Sequence, residues 1–238
     1  MVLVAVTFYF ARHGETQFNV ENRIQGWCDS PLTDAGICDA RRLGRGLADV
    51  AFAGAYASDR SRAQRTLALA LEAREDARRS LPELPAAGVS VPTCCDERLR
   101  EWCFGDLEGE SSQRLRDRLF DLFGDHLSRE EQNRRLNEIA DYLHATDPTG
   151  RAEDFAAITA RLDSFLDDCA RAVEVRGGGN VLVVSHALLI RTLIFQYDRG
   201  CVAMPSNIGN ASITKVRWED GAITLEEAGA TGHLDRAV

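Results

Sequence analysis

The sequence predicts an α/β fold, with a mostly parallel central sheet and helices on both faces. Residues 2–10, Val-Leu-Val-Ala-Val-Thr-Phe-Tyr-Phe, are rich in β-branched and aromatic types without clean alternation. Such a run suits a strand buried on both faces of a parallel sheet. A second run, Val181-Leu182-Val183-Val184, has the same character, and the segments around both alternate between strand and helix patterns, as in sheets covered on both sides. Each run then turns polar at once, the first into Ala11-Arg12-His13-Gly14-Glu15-Thr16 and the second into Ser185-His186. Open α/β sheets bind ligands beyond the carboxyl ends of their strands. Either histidine alone is as readily a hydrogen-bonded structural residue; two at the same kind of edge, beside Arg12, point to one site.

The elements follow in order. Residues 14–32 are polar and loop-like, and Thr33 then caps a helix running to about residue 50, with Ile37, Ala40, Leu43 and Leu47 on one face. Residues 52–57 form a second short strand, and an Ala/Leu/Arg-rich helix runs from residue 61 to about 79. Pro82, Pro85, Gly88 and Pro92 mark a loop before an edge strand over 93–98. Residues 105–150 are charged, with helical pieces at 113–123 and 128–144, and close on Asp147-Pro148-Thr149-Gly150. They read as a helical insertion in a single domain spanning residues 1–238, lying over the strand ends either as the wall of a substrate pocket or as a solvated pair. Residues 155–175 form an amphipathic helix built on Phe155, Ile158, Leu162, Phe165, Leu166 and Val173. Gly177-Gly178-Gly179 precede a strand instead of joining strand to helix, so they form a turn and not a phosphate loop. Residues 212–218 and 222–227, separated by Glu219-Asp220-Gly221, predict an antiparallel pair at the sheet edge.

Bulk properties narrow the function. The chain has 238 residues, 45% of them hydrophobic and 27% charged, ordinary for one globular domain with a real core. A net charge of −9 argues against nucleic acid or an anionic membrane as partner, so an anion site must be a local basic pocket. No apolar stretch reaches membrane-spanning length, and the first apolar run lacks the basic leader and cleavage site of a signal peptide. Seven scattered cysteines without a C-x-x-C pair suggest neither a disulfide framework nor a zinc site, and reduced thiols predict a cytoplasmic protein. No feature of the sequence sets an oligomeric state.

Four blocks carry the chemistry. They are Arg12-His13-Gly14-Glu15-Thr16 continuing to Asn19 and on to Gln25-Gly26, then Ser58 through Arg62-Ala63 to Thr66, then Leu99-Arg100-Glu101 continuing to Glu108-Gly109, and finally Val184-Ser185-His186. In this order, across nearly the whole chain, they resemble the histidine phosphatase superfamily, also called the phosphoglycerate mutase-like family. The resemblance implies that fold, no metal and no cofactor, and a small phosphorylated metabolite as substrate. It implies that His13 accepts the phosphoryl group, that Arg12, Arg62, His186 and Asn19 surround the phosphate, and that Glu101 is the general acid and base. Gln25, Gly26 and the backbone of Ala187 are further expected phosphate contacts; the family commonly has glycine where Ala187 stands. The residue types suit the chemistry on their own. Neutral imidazole is a good nucleophile that divides one displacement into two. A metal-free site must meet the transferring phosphoryl with fixed donors, and guanidinium forks supply them. Glu15 is expected to support the loop and Arg191 to hold the fold. Arg114, Arg116 and Arg118 are expected on a solvated face, with one able to reach a distal anion.

The resemblance leaves two activities open. A phosphatase passes the phosphoryl group from His13 to water; the alternative is a cofactor-dependent phosphoglycerate mutase, moving it between hydroxyls. The mutases carry a lysine shortly after the E-G block and an arginine pair further on. Here Glu108-Gly109-Glu110-Ser111-Ser112 has no lysine and adds a negative charge that repels a doubly anionic glycerate. Arg134-Arg135 imitates the pair only without its surroundings. The sequence therefore favours the phosphatase. A non-catalytic phosphate-binding scaffold is a remote third reading, since His13, Arg62, Glu101 and His186 are all present.

Overall fold

A computed structural model describes residues 4–80 and 91–235. Val2, Leu3, Pro82, Pro85 and Gly88 lie outside the described residues. Six strands form one sheet in the order β3-β2-β4-β1-β5-β6. They are β1 (Val6–Arg12), β2 (Phe52–Ala57), β3 (Thr93–Cys95), β4 (Gly179–Ser185), β5 (Ile213–Glu219) and β6 (Ala222–Ala230). β1, β4, β2 and β3 run parallel, while β5 pairs antiparallel with both β1 and β6. The sheet is thus mostly parallel with an antiparallel hairpin at one edge, as the sequence predicts.

Side-chain alternation explains why both faces are covered. Val6, Phe8 and Phe10 of β1, with Val181 and Val183 of β4, pack on α7 (Phe155–Glu174) and α8 (Ala187–Tyr197). Tyr9, Ala11, Leu182 and Val184 face the other way, onto α2 (Asp34–Gly46) and α3 (Ser61–Ser80). The predicted edge strand over 93–98 shortens to β3, because Asp96 accepts the Arg98 N–H and opens a 3-10 turn at Glu97–Leu99. α2 starts where expected, with the Thr33 hydroxyl accepting the Gly36 N–H at 3.0 Å, but it stops at Gly46.

Residues 105–150 hold α4 (Ser112–Phe123), α5 (Arg129–Arg134) and α6 (Leu136–Thr146), preceded in the chain by the single-turn α1 (Gln17–Val20). The helix expected over 128–144 is two, because the backbone at Arg135 (φ −123°, ψ 28°) leaves the helical region. α9 (Gly232–Asp235) ends the described chain. Among the described residues, no helix is long and apolar enough to cross a membrane.

Candidate active site

Central strands β1 and β4 are neighbours, and their register aligns Arg12 with Ser185. The next residue on each strand is a histidine. The His13 N–H extends the ladder to the Ser185 carbonyl at 2.9 Å. Both imidazoles are buried, with ring centroids 5.2 Å apart and planes inclined at 61°. Parallel pairing therefore brings together two residues 173 positions apart in the chain.

Hydrogen bonds give the two rings opposite tautomers. His13 Nδ1 donates to the Gly14 carbonyl at 2.8 Å, which leaves the Nε2 lone pair free. His186 Nδ1 accepts from Arg62, from Nε at 3.2 Å and Nη2 at 3.0 Å, so its proton sits on Nε2. That Nε2 is buried and has no hydrogen-bond partner among the described residues. Burial first, then the charges of Arg62 and Arg12, hold His13 well below the ordinary imidazole value; burial and Arg62 do the same to His186. Both rings are neutral at pH 7, one with a bare lone pair and the other a donor.

Arg12 donates through Nη1 to the Ile208 carbonyl at 2.7 Å. Its Nε is a second buried donor without a partner among the described residues. Burial brings this arginine down to about 10, still charged at neutral pH. Buried donors are normally satisfied, so two beside a bare imidazole nitrogen mark a place for an anion.

Glu101 follows the 3-10 turn and is buried. Its carboxylate accepts the Leu188 and Leu189 N–H groups at the start of α8, at 3.0 and 2.9 Å, and the Trp102 N–H at 3.1 Å. Burial drives its pKa up; these amides and Arg62 pull it back only in part.

Other predicted residues are placed as follows. Asn19 lines the cleft, and its Oδ1 accepts the Thr16 N–H at 3.1 Å and the Asn210 amide at 3.3 Å. Gln25 also lines the cleft, with its side chain tied to Thr16 and Ser30. Ala187 begins α8 directly after the extended His186 cap; its helical backbone has no need of glycine. Arg62, expected to fork onto the phosphate, is fully enclosed. Its nitrogens serve His186, the Gly26 carbonyl at 2.7 Å, the Cys28 carbonyl at 2.8 Å and Asp29 at 3.2 Å. Gly26 is likewise committed, its N–H to Glu108 at 3.2 Å; a Cβ there would collide with the Trp102 carbonyl and Glu108. Gly14 is needed for close packing on Gly36.

Arg12, His13, Asn19, Gln25, Glu101 and Ala187 border a cleft of about 400 Å³. Arg12, His13 and Glu101 form its inner end, and Ile24, Phe104, Leu115 and Leu119 its apolar wall. Exposed Arg23, Arg116 and Arg129 stand around it. The 105–150 segment thus lies over the strand ends as a wall. Arg116 reaches the cleft, whereas Arg114 pairs with Glu110 and Arg118 with Asp106; Arg135 pairs with Glu138. Sequence reasoning missed Asn210, which donates to the His13 carbonyl at 2.9 Å, and Arg129. Neither stands in a quoted block, and only the fold reveals them. Glu15 holds Thr33, and Arg191 ties the Val202 and Pro205 carbonyls.

Known proteins match this arrangement over nearly all of its length. The family model of the histidine phosphatase superfamily (branch 1) matches residues 8–231. A Yersinia pestis protein named "Probable phosphoglycerate mutase GpmB" is 28% identical, over 95% of this chain and 94% of its own. The crystal structure of phosphoglycerate mutase from Bacillus anthracis is 35% identical, with a TM-score of 0.86, covering 99% of this chain and 97% of that one. Bacillus stearothermophilus YhfR is 30% identical, with a TM-score of 0.71 over 96% and 99%. From the first strand through the closing hairpin, the chain belongs to the histidine phosphatase superfamily.

Proposed function

We propose that the chain is a metal-independent phosphomonoester hydrolase working through a phosphohistidine on His13. The observation that carries this reading is the convergence of one bare imidazole nitrogen with two unpartnered buried donors. In the first step His13 Nε2 attacks phosphorus, and the bond to the departing oxygen breaks. Glu101, whose pKa burial raises, gives that oxygen its proton. His186 Nε2–H and Arg12 Nε–H donate to equatorial oxygens whose charge grows in transit, a contribution typically worth about 3 kcal/mol of barrier per preorganised donor. In the second step Glu101 takes a proton from water, which displaces His13 and releases phosphate. Arg62 acts through His186, fixing the ring's orientation, and Asn19, Gln25 and the Ala187 backbone complete the walls.

Water as acceptor is supported by the cleft's exposed outer side and by Ile24, Phe104, Leu115 and Leu119, which suit a hydrocarbon body better than a small dianionic glycerate. The substrate is then a small phosphorylated metabolite, and cysteines that are all unpaired suit the cytoplasm. The mutase reading has its own support. Arg116 and Arg129 line the cleft without a carboxylate partner among the described residues, and two relatives bear a phosphoglycerate mutase name.

One set of assays separates the readings. Chelator-insensitive turnover of p-nitrophenyl phosphate, with an acid-labile phosphoenzyme that His13→Ala abolishes, is expected of the hydrolase. Isomerisation of 3-phosphoglycerate dependent on 2,3-bisphosphoglycerate overturns it in favour of the mutase. Phosphate binding without turnover leaves the scaffold.

A further inference from the structure

Glu101 stands in residues 100–104, a stretch with no helix or strand. No regular ladder therefore fixes the backbone that carries it. Side chains do so instead. Arg161 of α7 donates through Nη1 to the Arg98 and Arg100 carbonyls at 2.7 and 2.6 Å, and through Nη2 to the Glu101 carbonyl at 3.0 Å. The carbonyl between, Leu99, accepts from Ser185 Oγ at 2.9 Å. Glu153 grips the opposite edge of the Arg161 guanidinium, with Nε to Oε1 at 2.8 Å and Nη2 to Oε2 at 3.1 Å. The same Oε2 accepts the Cys103 N–H at 3.0 Å. One ion pair, both members 13% exposed, thus holds the main chain on both sides of Glu101. Every N–H of Arg161 is used, which an ammonium cannot imitate.

We propose that Arg161, seated by Glu153, is a positioning residue for proton transfer at Glu101. This rests on the reading of Glu101 as acid and base. The amides of α8 hold the carboxylate while Arg161 holds its backbone, and together they present one oxygen to the departing group. General acids act only within about 3 Å of the proton's destination, and a misplacement of about 1 Å costs up to a hundredfold. A poor leaving group needs that proton, whereas p-nitrophenolate hardly does.

The test compares an alkyl phosphate with p-nitrophenyl phosphate in wild type, Arg161→Met, Arg161→Lys, Glu153→Gln and Glu101→Gln. In Arg161→Met, kcat for the alkyl phosphate is expected to fall about tenfold more than for the nitrophenyl ester, with KM for both nearly unchanged and no rescue by Arg161→Lys. Glu153→Gln, which keeps an acceptor for Cys103, shows the same bias more weakly and carries the test if Arg161→Met fails to fold. Equal losses on both substrates, or a lowered melting temperature with an unchanged ratio, overturn the proposal alone when Glu101→Gln itself discriminates between the esters. If Glu101→Gln does not discriminate, the acid assignment falls and the proposal with it.

Discussion

His13 and His186 are the same residue type in opposite roles, and one hydrogen bond at each Nδ1 makes the difference. A carbonyl at His13 and a guanidinium at His186 leave one Nε2 bare and the other protonated. These assignments predict a pH profile. His13 is neutral well below pH 6.5, so its titration does not limit activity near neutrality. Glu101 has a raised pKa, and the first half-reaction proposed above needs its acid form. With an alkyl phosphate, turnover therefore falls as pH rises through that raised value, and Glu101→Gln abolishes the fall along with most of the rate, about a hundredfold or more. A pH–rate series on both enzymes checks this; an unchanged alkaline limb in the variant removes Glu101 from the role. His13, Arg12, Glu101 and His186 were legible because each follows a buried strand or stands within a dense motif. The destination of Arg62 was not: an arginine's type tells that it seeks acceptors, and only packing decided that Gly26, Cys28 and His186 would take its donors.

The loop over residues 25–28 is gripped from two sides. Glu108 accepts the Gly26, Trp27 and Cys28 N–H groups at 3.2, 2.9 and 2.9 Å, and the Phe104 N–H at 3.0 Å. Arg62 takes the Gly26 and Cys28 carbonyls. In Glu108→Gln the amide NH2 would face donors, so at least one of these bonds is lost at about 1–3 kcal/mol. The expected outcome is a stability loss of that size in urea unfolding, with KM for p-nitrophenyl phosphate raised as Gln25 loses its seat. An unaffected KM would mean that the loop does not shape the cleft. At this scale most of the sheet was legible, since β1, β2, β4 and the β5–β6 hairpin show apolar runs and turn residues. α8 was not read. Its residues Leu189 to Phe195 are all buried, so no polar stripe gives a helical period. The break at Arg135 was equally invisible, because both flanking segments favour helix.

Across the whole molecule, chemistry comes from burying groups that prefer water, and this links stability to pH. His13 and His186 are held neutral in the fold but take up protons near pH 6.5 when unfolded. Below that value the unfolded chain binds more protons, so stability falls with falling pH, by up to about 1.4 kcal/mol per pH unit for each ring. Glu101 works in the other sense: its raised pKa means the fold binds the extra proton, and its contribution declines as pH rises above about 4.5. Carboxylates held low, such as Asp59 at about 2, act only at more acid pH. Between pH 5 and 6 two histidines outweigh one glutamate, so unfolding free energy rises with pH. His186→Gln keeps an acceptor for Arg62 and removes one titrating ring, which flattens the rise. Glu101→Gln removes the opposing contribution and steepens it. Urea titrations at half-unit steps measure all three slopes. A slope unaltered by His186→Gln would show that His186 is protonated in the fold, and a wild-type stability level across this range would show it for both rings; a cationic His13 has no lone pair with which to attack phosphorus.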